Sequence, residues 1–268
     1  MTPDQNPVAS IADASKPNAG RIYDYVLGGD HNFEVDRVAA QQILKILPDY
    51  PQLARYVRWF LGEAVRRLSA KGFTRFIDFA SGLPTLDHIH SITPPGTKVV
   101  YSDIDPVTVA YGQDIVKDVP DARYVACDAA EPEKLLTSQL VAEFLGPSHK
   151  VAIGFNGIAF FLKDEQIAHA MKALYEWAEK GSCLFLCDFD NTPPAGKPSP
   201  EIEGSKFWEK VGQPLYLHPV KKLRELVAPW KEWEGGFRSA REWFGIEMRE
   251  EDKKTVFADL FVAVILEK

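Results

Sequence analysis

Arg75-Phe76-Ile77-Asp78-Phe79-Ala80-Ser81-Gly82-Leu83-Pro84-Thr85, followed at 98–106 by KVVYSDIDP, decides how this 268-residue chain folds. Each stretch is a short apolar run that ends on a carboxylate and then turns. RFIDFA (75–80) and KVVYSD (98–103) predict strands, and Pro106, a favoured first-turn residue, predicts a helix behind the second. The same grammar repeats outward. ARYVAC (122–127), VAIGF (151–155) and SCLFLCD (182–188) read as further strands. Helices are predicted to begin near 85–91 and at Pro106, and to cover 131–145 and 164–180, the last capped by Asp164. Five such alternations with buried strands predict an α/β fold, a parallel sheet with helices on both faces. TVFADLFVAVIL (255–266) is reached by a short connection and predicts a final antiparallel strand.

Ahead of the sheet the pattern is helical. Val35, Val38, Ile43, Leu44 and Leu47 recur at near-helical spacing and stop at Pro48. Leu53, Val57, Phe60, Leu61, Ala64 and Leu68 form a second stripe, ended by Gly72, with Lys and Arg on much of the opposite face. Residues 1–15 are small, polar and aperiodic. The expected division is a disordered tail (1–15), an N-terminal helical cap (16–72) and a main domain (73–268). NTPPAGKPSP (191–200) reads as a loop, followed by short helices near 205–211 and 220–227.

Composition narrows the function classes. With 46% hydrophobic and 26% charged residues the chain is expected to be globular, not disordered. The net charge of −7 opposes a nucleic-acid partner, which needs a basic face. No apolar run approaches the roughly 20 residues of a membrane helix, and residues 1–15 lack the form of a secretory signal. Cys127, Cys183 and Cys187 lie in strand-like segments and read as buried, reduced thiols of a cytoplasmic protein. No metal site is expected from their spacing. The oligomeric state is not legible.

In an open parallel sheet, ligands bind beyond the carboxyl ends of the strands, where strand order reverses. Asp103 ends the second strand, 21 residues after Gly82, a spacing suited to accepting hydrogen bonds from ribose hydroxyls. The competing reading makes Asp103 or Asp105 only the cap of the helix at Pro106. Asp128, after the third strand, could accept from an adenine amine or cap the next helix. The first turn keeps only Gly82 of a G-x-G-x-x-G pattern, and Pro84 removes an amide donor, so a pyrophosphate is poorly served. A nucleoside ligand without phosphate, such as S-adenosylmethionine, asks less of that loop. His88 and His90, two apart, are not expected to form a metal pair. His31 is the histidine to watch as a base. Trp208, Trp230, Trp233 and Trp243 read as core or interface rather than a substrate platform.

Two blocks carry a resemblance: Arg21-Ile22-Tyr23-Asp24-Tyr25-Val26-Leu27-Gly28-Gly29, with Phe33, Asp36 and Arg37, and Asp78 through Thr85 with its Gly82-Leu83-Pro84-Thr85 ending. In these the chain resembles a bacterial family of S-adenosylmethionine-dependent methyltransferases, long catalogued as a domain of unknown function. The resemblance runs from about Lys16 to the C-terminus. It implies the class I methyltransferase fold: a Rossmann-like sheet of seven mostly parallel strands, one antiparallel, plus N-terminal helices. It implies S-adenosylmethionine as cofactor and a small-molecule methyl acceptor. The donor would meet Asp78, Ser81 and Gly82 in the first turn, Asp103 and Ile104, Asp128 and Ala129, and Asn156 after the fourth strand. The N-terminal block is expected either to pack structurally or to act as a lid, with Tyr23 stacking and Arg21 meeting the methionine carboxylate. Ala80 stands where the family usually has glycine, and Asn156 and its neighbours stand where it tends to have histidine. Catalytic residues are not assigned. The alternative is a sensor of the same fold that binds without turnover; an NAD-dependent oxidoreductase ranks third.

Overall fold

Alternate residues of each strand feed opposite faces of one sheet, and two cores result. In the computed structural model, residues 15–84, 88–192, 204–233, 235–245, 248–255 and 257–268 are described. The strands are β1 (Arg75–Asp78), β2 (Lys98–Asp103), β3 (Ala122–Ala126), β4 (Ala152–Phe155), β5 (Cys183–Phe189), β6 (Lys231–Glu232), β7 (Arg238–Ser239) and β8 (Phe261–Glu267). Their order is β3-β2-β1-β4-β5-β8-β6, with β7 also paired to β8. The first five are parallel, and β8 runs antiparallel to β5. Phe76, Tyr101 and Phe185 enter one core; their neighbours Ile77, Val100 and Leu184 enter the other.

The helices are α1 (Ala19–Val26), α2 (Glu34–Ile46), α3 (Tyr50–Ala70), α4 (Ile89–Ile92), α5 (Pro106–Val116), α6 (Glu133–Leu136), α7 (Gln139–Leu145), α8 (Asp164–Trp177), α9 (Ser205–Lys210), α10 (Val220–Leu226), α11 (Ala240–Phe244), α12 (Glu250–Lys253) and α13 (Phe257–Leu260). Phe60, Ala64 and Leu68 of α3 cover the first core, and Ile167, Met171 and Leu174 of α8 cover the second. Each large apolar side chain buried this way contributes about 1.5–3 kcal/mol.

Several expectations shift. The sheet has eight strands rather than seven, because two two-residue strands pair with β8. The run at 255–266 divides into α13 and then β8. The helix expected over 131–145 breaks at Ser138, whose hydroxyl accepts from the Val141 N–H and starts α7. Asp164 is the first residue of α8, with Lys163 in the cap position. Most of the expected tail, residues 85–87 ahead of α4, and positions 193–200 of the Pro-rich loop lie outside the described residues.

The N-terminal helices are bound to the sheet through Arg21, which is 2% exposed. Its Nε donates to Asp36 Oδ2 at 2.8 Å, Nη1 to Asp105 at 3.0 Å, and Nη2 to the Lys16 carbonyl at 2.8 Å. Asp36, wholly buried, also accepts the Asn18 and Phe33 amides. Removing one member of such a buried pair strands the other charge, at about 3–5 kcal/mol. Arg21→Met should therefore lower unfolding stability by about that amount, while Arg21→Met combined with Asp36→Leu should recover part of it. Denaturant melts of the two variants check this, and equal stability of Arg21→Met and the parent would refute it.

Candidate active site

A cavity of about 530 Å³ opens where the strand order reverses between β1 and β4. That volume suits a small-molecule site. Its floor is the carboxyl ends of β1–β5. Its walls come from α1, α3, α9 and the segment 212–216. Ala54, Val57, Arg58 and Leu61 of α3 all line it, a stripe at helical spacing. Three hydrogen bonds lace the walls: Asn156 Nδ2 to the Val57 carbonyl (3.0 Å), the Ala19 amide to Gln213 Oε1 (2.6 Å), and the Tyr216 amide to the Phe160 carbonyl (2.8 Å).

The carboxylates lie on the β3-β2-β1 side. Asp103 Oδ2 accepts the Gly82 amide at 3.1 Å and Oδ1 accepts the Asp105 amide at 2.9 Å, so its carboxyl is fixed in orientation. Burial raises it to about 6, against the pull of those two amides. Asp105 caps α5, accepting from the Thr108 amide and hydroxyl, each at 2.9 Å. The two readings of this turn are therefore divided between two residues: Asp105 caps, and Asp103 lines the cavity. Ile104 also lines it and is 66% exposed, an uncovered apolar side chain. Asp128 Oδ1 accepts the Ala130 amide at 2.8 Å, and Asp128 and Ala129 both line the cavity.

Asp78 is 2% exposed, and burial pushes its carboxyl up to about 7. Ser81 and Arg58 oppose that rise, while Asp103 adds to it. Asp78 lies against Gly154 of its β4 partner; any Cβ there would collide with the carboxyl. That is why a glycine sits inside the apolar run VAIGF. Ser81 and Gly82 line the cavity as well, and the Gly82 carbonyl accepts the Tyr124 hydroxyl at 2.6 Å. Ala80 has φ 50°, the left-handed region, and no other non-glycine residue among those described does.

Three N-terminal expectations separate. Tyr23 lines the cavity, its hydroxyl donating to the Ala54 carbonyl at 3.1 Å. Arg21 does not line it: its guanidinium is committed to Asp36, Asp105 and Lys16, which corrects the expected meeting with a methionine carboxylate. His31 also stands outside the lining, with its ring edge-on to Tyr111 at 5.2 Å, which corrects its reading as a candidate base. Gly28 and Gly29 form a turn organised by Asp24, whose Oδ2 accepts the His31 amide and Asn32 Nδ2, each at 3.0 Å.

Arg58, His88 and Trp208 line the cavity although the sequence reading did not expect them there. Arg58 reaches the cavity from α3, its guanidinium 5.8 Å from the Tyr23 ring centroid. The signal was its position on the stripe shared with Ala54, Val57 and Leu61. His88 is 1% exposed, and burial holds it well below the usual histidine range, so it is neutral at pH 7. Its Nδ1 has no hydrogen-bond partner. Trp208 lines the cavity, unlike Trp230, whose Nε1 donates to the Met171 carbonyl in the core. Asn156 Oδ1 is buried and without a partner.

The sequence matches the S-adenosyl methyltransferase family over residues 5–265. The chain belongs to that family. It is an S-adenosylmethionine-dependent methyltransferase, and the nicotinamide and sensor readings give way to that one. It is similar to a candidate methyltransferase from Thermobifida fusca YX, with 27% identity, TM-score 0.85 and 96% of each chain covered. It is also similar to a DUF574 family protein from Streptomyces avermitilis MA-4680, with 23% identity, TM-score 0.83, and 96% of this chain and 99% of that one covered. Magnesium protoporphyrin IX methyltransferase from Synechocystis PCC 6803, solved with S-adenosylhomocysteine, shares the fold at 12% identity and TM-score 0.55, covering 97% and 99% of the two chains. No curated protein matches the sequence.

The strain at Ala80 yields a prediction. A left-handed conformation costs a non-glycine residue about 1–2 kcal/mol. Glycine there adds about 0.4–1 kcal/mol of unfolded-chain entropy, so the two effects oppose. Ala80→Gly should leave stability level or raise it by up to about 1.5 kcal/mol, since the native φ does not suit alanine. A fall of more than about 1 kcal/mol in a urea melt would contradict the strain.

Proposed function

We propose that this methyltransferase holds its donor across the β3-β2-β1 strand ends and alkylates a small molecule held over β4 and β5. The observation that carries the reading is Asp103, which lines the cavity with each oxygen anchored by one amide and with acceptor capacity left on both. It suits the two hydroxyls of a ribose. Ile104, exposed within the cavity, offers an apolar face to an adenine ring, and Asp128 an acceptor for its amine. Arg58 takes the role first expected of Arg21, pairing with the methionine carboxylate. Asp78 and the unpartnered Nδ1 of His88 accept from the ammonium group. Bound there, S-adenosylmethionine supplies an electrophilic methyl group on a sulfonium.

The protein's own part is to position and enclose. The α3 stripe and α1 exclude water, and the laced walls hold the acceptor in line with the donor. Tyr23 and Asn18 bring α1 into the wall, so the N-terminal block serves as a cover as well as a packing unit. A protein base is required only where the acceptor must lose its proton early. Enclosure by walls on several sides supports a small-molecule acceptor over a polymer. Three free, buried cysteines support a cytoplasmic setting.

Asp103→Asn keeps an oxygen for one anchoring amide and removes the charge. It should weaken S-adenosylhomocysteine binding by about 1.5–3 kcal/mol, measured by calorimetry, with thermal melting to verify folding. Unchanged affinity would reject the ribose assignment.

The carboxyl groups also set a pH dependence. In the free protein Asp78 and Asp103 keep their protons up to about pH 7 and 6. Their folded values exceed the unfolded ones, so the stability they contribute is present below about pH 4 and is lost as pH rises through 6 and 7. A ligand bearing an ammonium and ribose donors favours the charged forms. Affinity for S-adenosylhomocysteine should therefore rise between pH 5.5 and 7.5, with protons released on binding near pH 6.5. Calorimetry in two buffers of different ionisation enthalpy measures that release; flat affinity with no release would refute the donor contacts.

A further inference from the structure

The half of the cavity over β4 and β5 differs in chemistry from the half over β1–β3. Of the carboxylates among the described lining residues, Asp78 ends β1, Asp103 ends β2 and Asp128 follows β3. On the other side runs a continuous wall of rings: Tyr50, Trp208, Phe161, Phe160 and Phe189, every one of them lining the cavity. Successive centroids are 6.0, 5.8, 4.9 and 5.0 Å apart. They come from four places in the chain: the start of α3, α9, the turn after β4 and the end of β5. Phe160 and Phe161 remain half-buried, so their faces are not consumed by the core.

We infer that the methyl acceptor is a planar aromatic molecule bound against this wall. The inference rests on the donor lying over β1–β3. Aromatic rings at these separations attract another ring by offset or edge-on contact beyond simple area burial, and two-torsion side chains lose little freedom in doing so. Asn156, Gln166 and Gln213 also line the cavity, but a small polar acceptor set against the ring wall would leave hydrogen-bonding groups facing rings, at a desolvation penalty. An ammonium acceptor could be attracted to ring faces, but its lone pair is protonated and cannot attack a methyl group. No carboxylate among the described lining residues of this half stands ready to remove that proton; the ionisable side chains there are Tyr23, Tyr50, Tyr216 and the exposed Lys163. An aromatic hydroxyl or ring amine is uncharged at neutral pH and keeps a free lone pair: the O–CH3 or N–CH3 bond forms as the sulfonium S–CH3 bond breaks, the sulfur leaves as the neutral thioether of S-adenosylhomocysteine, and the acceptor's proton passes to water.

The test uses the full-length protein saturated with S-adenosylhomocysteine and 2-naphthol as the probe, read by calorimetry, with ethanolamine and decanoate as comparison ligands. Binding of 2-naphthol in the presence of S-adenosylhomocysteine is expected, at least tenfold tighter than either comparison ligand. Phe161→Ala should weaken 2-naphthol at least tenfold while S-adenosylhomocysteine affinity stays within twofold. Phe161→Leu, which keeps apolar bulk and removes the ring, should weaken it severalfold and stands in if the alanine variant fails to melt cooperatively. Tighter binding of ethanolamine or decanoate, no 2-naphthol binding, or undiminished 2-naphthol binding in both variants would overturn the aromatic acceptor while S-adenosylhomocysteine still binds. Loss of S-adenosylhomocysteine binding in the parent protein would instead bring down the donor reading, and the acceptor proposal with it.

Discussion

The buried guanidinium of Arg21 is the contact on which the rest of the site depends. It joins three elements: α1, which carries it, the next helix α2 through Asp36, and the distant turn after β2 through Asp105. Asp105 in turn caps α5, and its amide anchors Asp103. One arginine therefore couples the position of the N-terminal cover to the orientation of the carboxyl proposed to hold the donor's ribose. Its full set of partners explains why it is not available to a ligand. A charge this deeply buried is tolerable because two carboxylates and a carbonyl accept from its Nε, Nη1 and Nη2.

The second constraint lies at the β1–β4 seam. Parallel order 3-2-1-4-5 places the switch point there, and a crevice at that point is a consequence of connectivity. Asp78 and Gly154 face each other across the seam, so the carboxyl occupies space that any side chain at 154 would take. The backbone beyond Asp78 then turns sharply enough to put Ala80 at positive φ. Such strain is held in place by its surroundings: the Phe79 amide is bonded to the Gly154 carbonyl and the Ser81 amide to the Ser102 carbonyl, each at 2.9 Å.

The sheet was legible because buried parallel strands are apolar on both faces, and RFID, KVVYSD and CLFLCDF stand out against their turns. Strand-end acids were legible for the same reason: the rule linking strand ends to ligands turns a strand assignment into a short set of candidates. Long-range commitments were not. Arg21 looks like a ligand-binding arginine in sequence, and only the fold brings Asp36 and Asp105 to it. Arg58 sits among other basic residues of α3, and its inward direction depends on which face of that helix covers the cavity. The ring wall was illegible since Tyr50, Phe161, Phe189 and Trp208 lie in four separate segments, and a tryptophan in α9 has the same local signature as one in the core. Residues 255–260 misled because an apolar run has no periodicity of its own to separate a short helix from a strand.

The division of the cavity into an acidic and an aromatic half has an electrostatic logic. Burial raises Asp78 to about 7 and Asp103 to about 6, so near neutral pH the site carries less charge than its carboxyl groups suggest, and below pH 6 little of it. A buried, unpaired carboxylate would be expensive; a neutral one is not. A cationic ligand restores the charged forms and gains a charge-assisted contact at the moment it arrives. The aromatic half undergoes no such change, and it presents the same apolar surface in either state. Recognition of the donor is thus coupled to protons, whereas the aromatic half relies on shape and dispersion. That coupling lets one enclosed space hold a sulfonium at one end and an apolar wall at the other without leaving either end uncompensated.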